Sequence, residues 1–138
     1  MLRVAVNKYT PQGRAYIHRN LEGISTKTLL YLMRNPIRDM SIEYNDNRLS
    51  LYCGQLGKCA VSDQTLEIGS MHCHHILPKA NGGTDEYSNL VFVTENVHKL
   101  IHATQEGTIQ KLIQMQNLDK RQLLKLNKLR RSVGLADV

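Results

Sequence analysis

Apolar residues in this chain take helical spacing on either side of a middle stretch of β-prone runs. Residues 1–24 carry Tyr9, Pro11, Gly13 and Gly23 with basic side chains interspersed, which predicts irregular or short-helical chain. The first clear element is a helix capped by Ser25 and running through Arg34, with Leu29, Leu30, Leu32 and Met33 as its apolar stripe. Asn35-Pro36 ends it, because a residue before proline avoids helical geometry. Leu49, Tyr52, Cys53 and Leu56 follow i, i+3, i+4, i+7 and predict a second helix over 45–56, with Gly57 as a left-handed stop.

The period then changes. Residues 73–77 form a β-prone run ending at Pro78, Asn81-Gly82-Gly83 is turn chemistry, and Leu90-Val91-Phe92-Val93 is a second strand, apolar at successive positions. Thr94 is placed to cap a helix, and Glu95 sits where the positive end of the helix dipole favours an acid. Two more helices are expected over 106–116 and 119–132, separated at Asn117 and followed by Gly134. In the last, Leu123, Leu126 and Leu129 form the apolar stripe, while Lys120, Arg121, Lys125, Lys128, Arg130 and Arg131 supply a charged face, read as solvated or as a track for a phosphate backbone.

The chemistry concentrates in the central window. Five of the six histidines, His72, His74, His75, His98 and His102, fall between positions 72 and 102. His98 and His102 are four apart on the expected helix, so both rings project from one face and can share an ion. A third ligand can come from the histidine pair on the first strand. Adjacent strand residues point to opposite faces, so only one of His74 and His75 can readily join that ion. If His74 does, His75 is left as a general base beside the metal, within reach of a water attacking phosphorus. His72 lies on the His74 side by alternation, and His18 reads as an ordinary core or surface residue.

Charge and composition narrow the partners. The chain has 138 residues, 41% of them hydrophobic, which suits one domain with a modest core. Lysine and arginine number 18 against 12 acids, and the net charge of +6 favours a polyanionic partner over a membrane or an acidic peptide. No stretch approaches a membrane span and no signal-peptide core is visible at the N-terminus, so a cytoplasmic protein is expected.

The pattern of His74-His75, Asn89 fourteen positions after His75, and His98 nine positions after Asn89 in an H-x-x-x-H helix resembles the HNH endonucleases with the ββα-metal fold. The resemblance includes the Gly82-Gly83 turn and the Asn-Leu that opens the second strand. It implies an α+β fold, a ββα-metal core between N- and C-terminal helices, in which His75 activates water, Asn89 braces the loop or the base, and His74, His98 and His102 hold one divalent ion. His72, Lys79 and Lys99 are secondary candidates for contact with nucleic acid. The flank NPIRDMSIEYNDNRLSLYCGQLGKCAVS and the histidine window together look like the C-terminal end of group II intron reverse transcriptase/maturase proteins. That likeness implies DNA as substrate, nicking of one strand, and intron RNA or a reverse transcriptase as accessory partners. A chain of 138 residues has no room for a reverse transcriptase domain, so a fragment, an excised domain or a free-standing relative is expected.

Many such relatives bind a structural ion through two C-x-x-C pairs. Here Cys59 keeps the first position, but Ser62, Thr94 and Val97 occupy the other three, and none is a good zinc ligand. No four-cysteine site is expected, and Cys53, Cys59 and Cys73 read as free thiols; a residual site of Cys59, Cys73 and His72 is the less favoured option. For the catalytic ion, the resemblance implies Mg²⁺ or Mn²⁺, whereas three imidazoles equally suit Zn²⁺ or Ni²⁺. The organisation expected is a helical, basic flank over 1–57, the nuclease core over 58–105 and basic helices over 106–138, packed as one unit. Within the N-terminal flank, contact of Arg34, Arg38 and Arg48 with nucleic acid is less favoured than simple packing. The alternative function is a catalytically weak or inactive module on the same scaffold, binding nucleic acid or another nuclease.

Overall fold

A computed structural model describes residues 24–138; the expectations for residues 1–23, His18 among them, lie outside it. Helix α1, Thr26–Arg34, is capped by Ser25, whose side chain accepts from the Thr28 amide at 3.2 Å. It buries Thr28, Leu29 and Leu32, a narrower stripe than expected, with Leu30 and Met33 half-buried.

Helix α2, Ile42–Gly54, begins three residues before the apolar period predicts and ends before Leu56. The cause lies in its buried face, which carries Tyr44, Asn47, Arg48 and Ser50 as well as Leu51, Tyr52 and Cys53. Polar residues with partners do not register as an apolar stripe. Ser41 supplies the cap, accepting from the Tyr44 amide at 3.0 Å. Leu56 and Gly57 then both take the left-handed region, at φ 55° and 70°, and turn the chain back. Arg48 is buried, with its guanidinium on the Asn45 side chain and the Asn35 carbonyl, while Arg34 and Arg38 are exposed.

Strand β1, Met71–His75, pairs antiparallel with β2, Leu90–Thr94, placing Cys73 opposite Phe92 and His74 opposite Val91. The first strand lies two residues earlier than expected. Asn89 explains the early end: its side chain accepts from the Leu77 amide at 2.9 Å and donates to the Leu77 carbonyl at 3.1 Å, so the chain leaves the ladder there. The connection contains short 3₁₀ turns at Lys79–Asn81 and Tyr87–Asn89, with Gly82 at φ 91°. Gly83 is required by crowding, since a Cβ there would lie 1.8 Å from the Leu77 carbonyl oxygen.

Helix α3, Glu95–His102, follows β2 directly, capped by Thr94 and buried through Val97, Leu100 and Ile101. Helices α4, Glu106–Gln116, and α5, Lys120–Ser132, pack against it, with Asn117 left-handed between them. Asp119 and Gln122 form a reciprocal capping box at the start of α5. One expectation is overturned here. Arg130, grouped by sequence with the charged face, is 3% exposed, and its guanidinium donates to the carbonyls of Leu100 (2.6 Å), Ala103 (2.9 Å) and Ala136 (2.8 Å). Two of these acceptors, Leu100 and Ala103, lie where α3 ends and leaves its carbonyls without partners in the helix. The core runs through Leu32, Tyr52, Leu66, Phe92, Val93, Leu100, Ile101 and Leu126. The architecture is α+β: a ββα unit between helical flanks. No helix among the described residues is long and apolar enough to cross a membrane.

Candidate metal and catalytic site

The alternation of β1 divides its histidines between two environments. His74 is 2% exposed and faces His98 and His102, which α3 presents one turn apart. One ring nitrogen from each of the three lies within 4.8 Å of the others. Among the described residues, this is the group of three with the spacing to hold a metal ion. The Nε2 atom of His74 is buried without a hydrogen-bond partner. A buried polar atom is ordinarily paired, and a cation between the imidazoles would satisfy this one.

Burial is the main cause that lowers the basicity of these rings, and neighbouring imidazoles add to it. It pushes His74 down to about 3, with His98 and His102 reinforcing the shift, and His98 down to about 4, with His72 and His102 contributing. Burial also lowers His102. The set is therefore neutral at pH 7, the state in which imidazole ligates a metal. His72 joins the same side and stacks on His98. Its basicity is lowered by burial, with Glu95 opposing.

His75 points to the other face, and its surroundings differ in kind. Its Nε2 lies 2.7 Å from Oδ1 of Asp85, and its ring stacks on Tyr44 with centroids 5.2 Å apart and planes within 16°. Tyr44 is fixed in turn by its hydroxyl, which donates to the Cys73 carbonyl at 2.6 Å. Burial pushes the Asp85 carboxyl up, but hydrogen bonds from Ser41, His75 and Lys79 outweigh it and hold the group down at about 2. An ionised carboxylate only accepts, so a hydrogen bond between the two requires the proton to come from His75 Nε2. Lys79 reaches the other Asp85 oxygen, Oδ2, at 3.1 Å.

His72, His74, His75, His98, His102 and Lys79 all line one open cleft of ≈ 460 Å³, together with Ile37, Met40, Tyr44 and Pro78. Asn89 is not part of that lining; its side chain binds Leu77 and the Thr84 carbonyl (2.8 Å) and so shapes the loop beside His75. Lys99 is exposed on α3, outside the cleft lining. The three cysteines are free and buried, and the Thr94 amide approaches the Cys59 sulfur at 3.4 Å.

Sequence reasoning missed Asp85, Ser41 and Tyr44. Asp85 carried a weak signal, an acid just past the Gly82-Gly83 turn in the loop that joins the two strands. Ser41 and Tyr44 carried none, since only the docking of α2 on the sheet brings them to the site.

Neither a curated protein nor a solved structure matches the chain. Residues 51–104 match the family model described as HNH endonuclease. That segment contains β1, β2, α3 and every histidine of the cleft. The match, together with the ββα unit and its three-imidazole cluster, supports the HNH endonuclease family for this part of the chain.

Proposed function

We propose that the chain is a metal-dependent endonuclease that hydrolyses phosphodiester bonds in DNA. The observation that supports this most is the division of labour across β1: a buried, unpartnered His74 nitrogen gathered with His98 and His102 on one face, and a carboxylate-bound His75 on the other. His74, His98 and His102 would hold one divalent ion. When bound, that ion would neutralise the scissile phosphate and ease departure of the 3′ oxygen. His75 accepts a proton at Nδ1 from the water that attacks phosphorus. Asn89 keeps the loop in place. His72 and Lys79, in the cleft lining, would contact phosphate; Lys99, outside that lining, would meet only substrate running beyond the cleft. Three neutral imidazoles suit Zn²⁺ or Ni²⁺ as donors, and Mg²⁺ or Mn²⁺ with water and phosphate oxygens completing the shell. The narrower reading, single-strand nicking in a group II intron setting, rests on the likeness of the flanking sequence alone.

The test is incubation of purified protein with supercoiled plasmid and Mg²⁺, Mn²⁺, Zn²⁺ or Ni²⁺, with a chelated control and His75→Ala. Nicked circles that require metal and vanish in His75→Ala are expected. Plasmid that shifts in a gel but stays intact with every ion would instead favour a binding module on the same scaffold.

A further inference from the structure

Two of the residues that hold Asp85, Ser41 at the cap of α2 and Asn47 within it, lie outside the segment that matches the family model. Ser41 Oγ donates to Asp85 Oδ2 at 2.6 Å, and Asn47 Nδ2 donates to the Asp85 backbone carbonyl at 2.7 Å. Tyr44, on the same helix, lies flat against His75. Positions 41, 44 and 47 precede residue 51, where the match begins. The Asp85 side chain is 8% exposed, and each oxygen already has a partner: Oδ1 has His75, and Oδ2 has Ser41 and Lys79. The carboxylate is thus fixed in position before any substrate arrives.

We infer that Asp85 is a positioning residue: by accepting the Nε2 proton of His75 it sets the ring's tautomer, and with Tyr44 it sets the ring's plane, so that Nδ1 is the acceptor on the cleft side of the reaction. This rests on the proposed role of His75 as base. A general base must offer a lone pair at a defined place, and a neutral imidazole has one on either nitrogen depending on what its other nitrogen donates to. With the acceptor removed, both tautomers become populated and the ring can rotate out of plane. The arrangement also gives α2 a part in the chemistry, since Ser41 and Asn47 act on His75 only through Asp85.

The experiment compares wild type with Asp85→Asn, which keeps size and loses charge. Three quantities are read: plasmid cleavage with Mn²⁺, Zn²⁺ binding by calorimetry, and the His75 tautomer by ¹⁵N-resolved NMR of the imidazole ring. The wild-type ring is expected as Nε2–H. In Asp85→Asn a mixture of tautomers is expected, with kcat reduced about 10²–10⁴-fold while KM and Zn²⁺ affinity change less than about threefold; Asp85→Glu should recover part of kcat. A kcat loss matched by equal loss of Zn²⁺ binding would make Asp85 a structural staple and overturn the inference. Should Asp85→Asn fail to fold, the wild-type spectrum still decides, because Nδ1–H at His75 overturns it. His75→Ala separates the two claims. Cleavage surviving that change overturns the base assignment and this inference together, whereas cleavage lost in His75→Ala but kept in Asp85→Asn overturns the inference alone.

Discussion

His72 lies against His98 with ring centroids 3.8 Å apart and planes within 21° of parallel. The two come from different elements, β1 and α3, and His98 also meets His74 and His102 edge-on at 5.5 and 4.7 Å. The stack restricts rotation of a metal-ligand candidate. His72→Ala is therefore expected to weaken Zn²⁺ binding about tenfold, the scale of one aromatic pair, while His72→Phe holds it near wild type. Calorimetric titration checks this; equal affinity in wild type and His72→Ala would refute it.

Protein freed of metal should lose stability as pH falls below neutrality. Unfolded imidazoles take up protons near pH 6.5, but folded His98 and His74 do so only near about 4 and about 3. Between those limits the unfolded state binds more protons, so acid favours it. The slope is at most about 1.4 kcal/mol per pH unit for each histidine, and less for the half-buried His98. The Asp85 carboxylate, held at about 2, contributes stability present above about 3.8 and lost only as pH falls toward 2. Urea denaturation at pH 7, 6 and 5 reports the imidazole window, and His74→Gln should flatten the slope there.

Arg130→Met should cost about 3 kcal/mol or more, because three carbonyls lose a charged donor and at least one lies in a buried contact. The consequence should reach His102, two residues beyond Leu100 at the end of α3. Folded Arg130→Met is expected to bind Zn²⁺ more weakly than wild type, and Arg131→Met, whose exposed partner is Asp137, should change neither stability nor binding appreciably.

Gly83→Ala forces a methyl into the Leu77 carbonyl, backbone that cannot swing aside. A destabilisation of about 1–3 kcal/mol is expected, read as a shift in the urea midpoint. Displacing the loop also moves Asp85, so kcat should fall further than the folded fraction accounts for.

Much of the site is legible in the chain because it depends on short-range periods. The i, i+4 spacing of His98 and His102, the cap at Thr94 and the alternation at His74-His75 are local rules, and the fold leaves them intact. The helices 106–116 and 119–132 were legible for the same reason, their breaks marked by Asn117 and Asp119. What was not legible depends on long-range partners. Arg130 looks like any basic residue on a charged helix until α5 packs across the end of α3. Residues 41–48 look polar and unpatterned, yet Ser41, Asn47 and Arg48 find acceptors in other segments and α2 starts early on that account. The end of β1 was misplaced because a side chain, Asn89, takes over the Leu77 backbone groups that another strand residue would have bonded.

The outer side of β2 is closed in an unusual way. Gln55, just past α2, donates to the Phe92 carbonyl at 2.8 Å and accepts from the Phe92 amide at 3.0 Å, and the Ala60 amide joins the same carbonyl at 3.1 Å. One carboxamide thus stands in for a neighbouring peptide group. The sheet has two strands among the described residues, and its margin would otherwise offer unpaired groups to an extended chain. With the Phe92 groups already bonded, an added strand could pair there only by displacing the Gln55 carboxamide.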